Sequence, residues 1–144
     1  MVTELDKIVY TATASATGGR AGHARSDDGN LDVDLRVPEA MGGPGGATNP
    51  EQLFAAGYAA CFQGALGVAG RRQGVDTSGS LVTAAVSIGP VGEAFGLAVT
   101  LDVEIPGVDE QTCQALADAA HEVCPYSNAT RGNIVVDVRA RVAG

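Results

Sequence analysis

Residues 49–74 read NPEQLFAAGYAACFQGALGVAGRRQG, and the reading of this stretch decides the fold. Asn49 carries the side-chain oxygen that an N-cap needs, Pro50 suits the first helical turn, where its missing N–H is no loss, and Gln52 stands at the third position of a capping box. The spacing predicts a helix from Pro50 to about Gly74. Between Leu53 and Gly70 its only polar side chains are Tyr58, Cys61 and Gln63. A helix apolar on all sides is either a membrane span or a buried core element. This one is dominated by Ala and Gly, only just reaches the roughly 20 residues a span requires, and stands alone among amphipathic strands, so it reads as buried. Gly57, Ala60 and Gly64 would let other elements pack close to its axis.

Upstream, DKIVYTATA at 6–14 alternates partly in apolar character and is rich in β-formers, which predicts a strand that GGR at 18–20 interrupts. GHARSD, the turn DDGN at 27–30, and LDVDLRV with Leu31, Val33, Leu35 and Val37 in strict alternation predict a hairpin with one buried face. Downstream, 79–89 and 94–105 read as a second hairpin around Pro90 to Gly92. Asp109 is placed to cap a helix running to about Val123, and Pro125 marks its end. A last alternating run from Asn133 to Val142 predicts the final strand. Strands arriving in hairpins rather than in βαβ units indicate an α+β class.

Nothing in the composition contradicts a packed core. The 144 residues favour one domain over 1–144, and 45% are hydrophobic against 18% charged. A formal net charge of −8 with Lys7 as the single lysine offers no basic stripe, which argues against nonspecific binding to nucleic acid or to an anionic membrane. The start, MVTELDKIVY, has no basic segment followed by an apolar one, so the expected location is the cytoplasm. The three cysteines Cys61, Cys113 and Cys124 are too few and too uneven for a secreted disulfide framework.

Cys61 lies deep in the apolar helix, where a small core side chain is the plain reading. Cys124 ends the second long helix inside HEVCPYSNATRG, a segment with more polar and turn-forming variety than a helix end requires. The two are candidates for a redox pair, while Cys113 has no polar surroundings and reads as structural. A reactive thiol must be a thiolate and so needs a fixed cation. Arg20 and Arg131, each next to glycine or short polar residues, qualify, and Glu51 at the helix start is placed to clamp a guanidinium. A rival set is Cys61, His121 and Cys124 as metal or small-molecule ligands, although no CxxC or second nearby histidine supports it. The loop GGPGGATNPEQ lacks the Gly-Lys-Ser/Thr ending of a phosphate loop.

The stretches TATGGRAGHARSDDGNLDV, GGPGGATNPEQLFAAGYAACF and HEVCPYSNATRGNI closely resemble the organic hydroperoxide resistance proteins, a branch of the OsmC superfamily. The resemblance implies an OsmC-like fold, with antiparallel β-sheets packed around two long central helices in an intertwined homodimer. It implies that Cys61 is the peroxidatic cysteine, Cys124 the resolving cysteine, and Arg20 with Glu51 the pair that activates the thiol and orients substrate. It further implies reduction by lipoylated proteins, organic hydroperoxides including those of fatty acids as substrates, and no bound cofactor or metal. Phe54, Phe62 and Tyr126 are candidates for the apolar wall that meets an alkyl chain. Glu51 and Cys61 are ten positions apart, about 15 Å along a straight helix axis. Either the helix breaks, or Glu51 of one subunit serves Cys61 of another at a dimer interface.

Overall fold

The computed structural model describes residues 2–143. Its contacts divide the chain into two compact units, Met1–Pro50 and Glu51–Gly144.

The first unit is built on an antiparallel sheet of β1 (Ala14–Thr17), β2 (His23–Ser26) and β3 (Asp32–Asp34), in that order. The reversal from β1 to β2 passes through Gly18 and Gly19 at φ 72° and 57°, the left-handed region that glycine enters without penalty. A 3₁₀ turn at Gly19–Ala21 then presents Arg20, half-buried. The DDGN turn closes as expected, with the Ser26 N–H donating to Leu31 O at 2.8 Å and the Asp28 carboxylate accepting from the Asn30 N–H at 2.9 Å. His23 lies between the carboxylates of Asp32 and Asp34, which raises its pKa through those hydrogen bonds.

Two expectations for this unit change. Residues 2–13 form no strand, and pairing starts only at Ala14 opposite Ser26. The alternation in 6–14 is real, but a strand also needs a neighbouring backbone to satisfy its polar groups, and here Ile8 and Tyr10 stand 71% and 76% exposed. The face from Leu31 to Val37 is buried unevenly: Leu35 is enclosed, beside a bridge to Thr48, while Leu31 is exposed.

The second unit holds α1 (Pro50–Gln73), β4 (Leu81–Val91), β5 (Ala94–Ile105), α2 (Glu110–Val123), α3 (Pro125–Thr130) and β6 (Val136–Val142). The α1 helix starts and ends where its sequence requires, and it runs unbroken for 24 residues. It is long and apolar enough to cross a membrane by length and composition, yet one face is built into the core. That face carries Tyr58, Phe62, Ala65, Leu66, Ala69 and Gly70. The opposite side, with Ala56, Ala60 and Gly64, is exposed within the chain, so the helix is buried as a stripe and not all round.

β4 and β5 make the expected hairpin, although the reversal sits at Gly92 and Pro90 is already paired within β4. Along β5, Val99, Leu101, Val103 and Ile105 alternate into the core. The α+β class holds, with one departure from purely antiparallel sheets: β6 joins β5 in parallel, from Val99 opposite Val136 to Ile105 opposite Val142. The connection runs through α2 and α3, as a parallel pairing requires of its crossover. α2 buries Cys113, Leu116, Ala117 and Ala120, and the Cys113 thiol donates to Arg141 O on β6 at 3.0 Å.

Asp109 caps α2 by accepting from the Thr112 N–H at 2.7 Å. Asp109→Ala is expected to lower stability by about 1 kcal/mol, measured as a shift in the urea midpoint at constant slope.

Candidate active site

The HEVCPYSNATRG segment, whose turn-forming residues suggest irregular chain, is a reversal between two helices. α2 ends at Val123, Cys124 is both its C-cap and the N-cap of α3, and Pro125 occupies the first position of α3. Proline is favoured there because its missing N–H has no partner in the first turn. Cys124 is therefore held at a junction fixed from both sides, with its N–H donating to Ala120 O at 2.9 Å and its carbonyl accepting from the Asn128 N–H at 2.9 Å.

This junction lies against α1 beside Cys61. The Cys124 thiol donates to Cys61 Sγ at 3.6 Å, and neither sulfur is in a disulfide. The two differ in access: Cys124 is fully buried, whereas Cys61 is partly exposed. Burial pushes the Cys61 thiol above its ordinary pKa; the Tyr126 backbone N–H, donating to it, pulls the other way, and the adjacent Cys124 adds to the rise. A thiol held in that state needs a positive charge to become a nucleophile.

Gly57, one turn before Cys61, gives α3 room. A Cβ there would lie 2.8 Å from the Tyr126 hydroxyl oxygen, so the phenol ring packs where a side chain would otherwise stand. Tyr126 meets Phe54 edge-on at 6.0 Å between ring centroids, and Tyr58 lies 5.6 Å from Tyr126 and 6.2 Å from Phe54. Phe54 is half-buried and Tyr126 is 38% exposed, so both remain able to meet an alkyl chain. Phe62 does not. It is fully enclosed in the core stripe with Tyr58 and Leu66, so of the wall expected from Phe54, Phe62 and Tyr126 only Phe54 and Tyr126 are accessible.

Behind the thiols is a set of hydroxyls that sequence reading misses. The Tyr58 hydroxyl lies 2.8 Å from Ser127 Oγ and 3.0 Å from Thr130 Oγ1, and His121 Nδ1 lies 2.8 Å from Ser127 Oγ. The His121 pKa is lowered, first by burial and then by the Arg131 charge. Tyr58 falls on the helical face of Cys61, three residues before it, and that spacing is the signal that would have found it. Arg131, the second candidate cation, donates to His121 O at 2.7 Å and to the Asn128 side chain, so it ties the end of α3 to α2. Among the described residues no three His, Cys, Asp or Glu side chains converge to hold a metal, and the set Cys61, His121 and Cys124 does not assemble. Arg20 belongs to the first unit and Glu51 begins the second, on the same unbroken helix as Cys61.

The sequence profile of the OsmC-like protein family matches residues 43–139. The chain belongs to the OsmC family. Within it, the organic hydroperoxide resistance protein of Xanthomonas axonopodis pv. citri is 51% identical over 133 residues, covering 91% of this chain and 94% of that one. The crystal structure of an organic hydroperoxide resistance protein from Legionella pneumophila superposes with a TM-score of 0.89 at 47% identity, covering 96% of this chain and all of that one. A Vibrio cholerae structure, described as a putative organic hydroperoxide resistance protein with captopril bound in one of its active sites, gives 0.90 at 44% identity, with 98% and 96% covered. The OsmC fold and the organic hydroperoxide resistance branch expected from the three sequence stretches are both borne out.

Proposed function

We propose that this OsmC-family chain is a thiol-dependent peroxidase that reduces organic hydroperoxides, alkyl and fatty-acid, to alcohols. The observation that carries the reading is the pairing of one accessible thiol with one enclosed thiol 3.6 Å away. A peroxide can reach Cys61 but not Cys124, which assigns attack to the first and resolution to the second. The Cys61 thiolate attacks one peroxide oxygen, the O–O bond breaks, and the leaving alkoxide takes a proton to become the alcohol. Cys61 is left as a sulfenic acid. The Cys124 thiol then displaces its hydroxyl, forming the Cys61–Cys124 disulfide and water. Closing that bond brings sulfurs from 3.6 Å to about 2.05 Å, a small rotation of two side chains.

Arg20 is the cation in this reading, lowering the Cys61 pKa against burial and stabilising the developing alkoxide, while Glu51 orients its guanidinium. Because α1 is continuous, Glu51 cannot reach the Cys61 of its own helix. It serves the Cys61 of a second copy, which places the active sites at a homodimer interface. Two features support that assembly: the exposed Ala56, Ala60 and Gly64 side of α1 and the strandless apolar residues near the N-terminus. An obligate monomer by light scattering would refute it. The dihydrolipoyl groups of lipoylated proteins return the disulfide to two thiols, with no cofactor bound, and the site of action is the cytoplasm.

The test is a thiol titration with one equivalent of cumene hydroperoxide. Loss of two thiols per chain, a mass lower by two hydrogens, and recovery with dihydrolipoamide are expected. Unchanged thiols, or zinc held by Cys61 and Cys124 in the purified protein, would overturn the reading.

A further inference from the structure

Tyr58 precedes Cys61 by three residues on α1, and Ser127 follows Cys124 by three. The hydroxyl contact between Tyr58 and Ser127 at 2.8 Å thus repeats, one turn away, the thiol contact at 3.6 Å. Tyr58 and Ser127 are fully buried, and Thr130 is 6% exposed. A phenol oxygen removed from water is destabilising unless it is hydrogen-bonded, and a phenylalanine would fill the same space without that requirement. Here the oxygen contacts two side chains of α3 at once. α3 has only six residues, with Pro125, Tyr126, Asn128 and Ala129 exposed, and its apolar anchor is the Tyr126 ring against Gly57, Phe54 and Tyr58. Yet it delivers both groups that face Cys61: the Cys124 thiol at its N-cap and the Tyr126 N–H.

We propose that Tyr58 is a positioning residue for disulfide formation, holding α3 through Ser127 and Thr130 so that Cys124 stays within reach of Cys61. The proposal rests on the thiol-peroxidase reading and adds what sets the fate of the sulfenic acid. With the hydroxyl contact intact, the Cys124 thiol condenses with it and releases water. Without that contact, α3 shifts and a second hydroperoxide competes, oxidising the sulfenic acid to a sulfinic acid and releasing another alcohol. Tyr58 touches neither substrate nor sulfur in this scheme.

The experiment compares wild type with Tyr58→Phe, which keeps the ring and removes only the hydroxyl. Equilibration with glutathione redox buffers measures the effective concentration of one thiol towards the other without any peroxide. Tyr58→Phe is expected to lower it about tenfold, raising the disulfide potential by about 30 mV. Mass spectrometry after a hydroperoxide series should show Cys61 sulfinate at correspondingly lower doses. If Tyr58→Phe does not fold, Thr130→Val and Ser127→Ala each remove one of the two partners; because Thr130 also donates to Tyr126 O and Ser127 also contacts His121, a shift of the potential in both is expected, and its absence in either overturns the proposal. Val103→Ala, buried on β5, is the control for lost stability alone and should leave the potential unchanged. A Tyr58→Phe potential within twofold of wild type in effective concentration, or an equal shift in Val103→Ala, would overturn the proposal while leaving the peroxidase reading intact. Wild type that forms no Cys61–Cys124 disulfide in either assay would overturn both.

Discussion

Cys61→Ser is expected to abolish hydroperoxide consumption, a fall of about a thousandfold or more. The oxygen of serine sits where the reachable sulfur was, but a hydroxyl is far harder to ionise than a thiol, and it has no oxidation state corresponding to a sulfenic acid. Cys124→Ser behaves differently, because the reachable thiol is still present. It consumes one equivalent of peroxide per chain at close to the wild-type initial rate, then stalls as a sulfenic acid or takes a second equivalent to become a sulfinic acid. Stopped-flow peroxide consumption with dihydrolipoamide as reductant separates the two. Steady turnover by Cys61→Ser would show that the nucleophile lies elsewhere, and steady turnover by Cys124→Ser would show that the enclosed thiol is not the resolving one.

The second large effect is on stability. Phe62→Ala is expected to destabilise the fold by about 3–5 kcal/mol, since Phe62 is wholly enclosed in the core cluster that also holds Tyr58, Leu66 and the inward side chains of β5. Domains have about 5–15 kcal/mol in total, so this single change removes a large share. Phe54→Ala, at a half-buried ring touching Tyr126, should have a smaller effect on stability and lower kcat/KM for long-chain hydroperoxides about tenfold, the size expected when a few methylenes lose their wall. Urea denaturation at fixed protein concentration, with kinetics on short and long hydroperoxides, checks both. Equal stability losses at the two positions would mean that the assignment of core and wall is mistaken.

What the chain discloses before folding follows from how local each signal is. The start of α1 at Pro50 and the Asp109 cap of α2 depend on a few adjacent residues, and they form where the sequence places them. Cys61 and Cys124 stand out by their places in the apolar helix and in HEVCPYSNATRG, but their 3.6 Å approach depends on α3, whose sequence PYSNAT is rich in turn formers. The proline that ends one helix starts the next, and its position alone does not distinguish the two roles. The parallel partnership of β5 and β6 was equally hidden, because an alternating strand shows which face is buried and not the direction of its neighbour. Tyr58 read as a polar interruption of an apolar helix, and only its contacts with Ser127 and Thr130 show why a hydroxyl is there. For residues 6–14 the alternation was visible but the partner was not, since pairing depends on backbone from elsewhere.

The parallel crossover has a consequence for biosynthesis. β6 is the last strand of the second unit in chain order, and until it emerges from the ribosome one margin of β5 has no partner for its N–H and C=O groups. The second unit therefore closes only once Val142 has emerged, and nascent chains that terminate prematurely before Val136 would expose the unpaired margin of β5 as a template to which other unfinished chains can adhere.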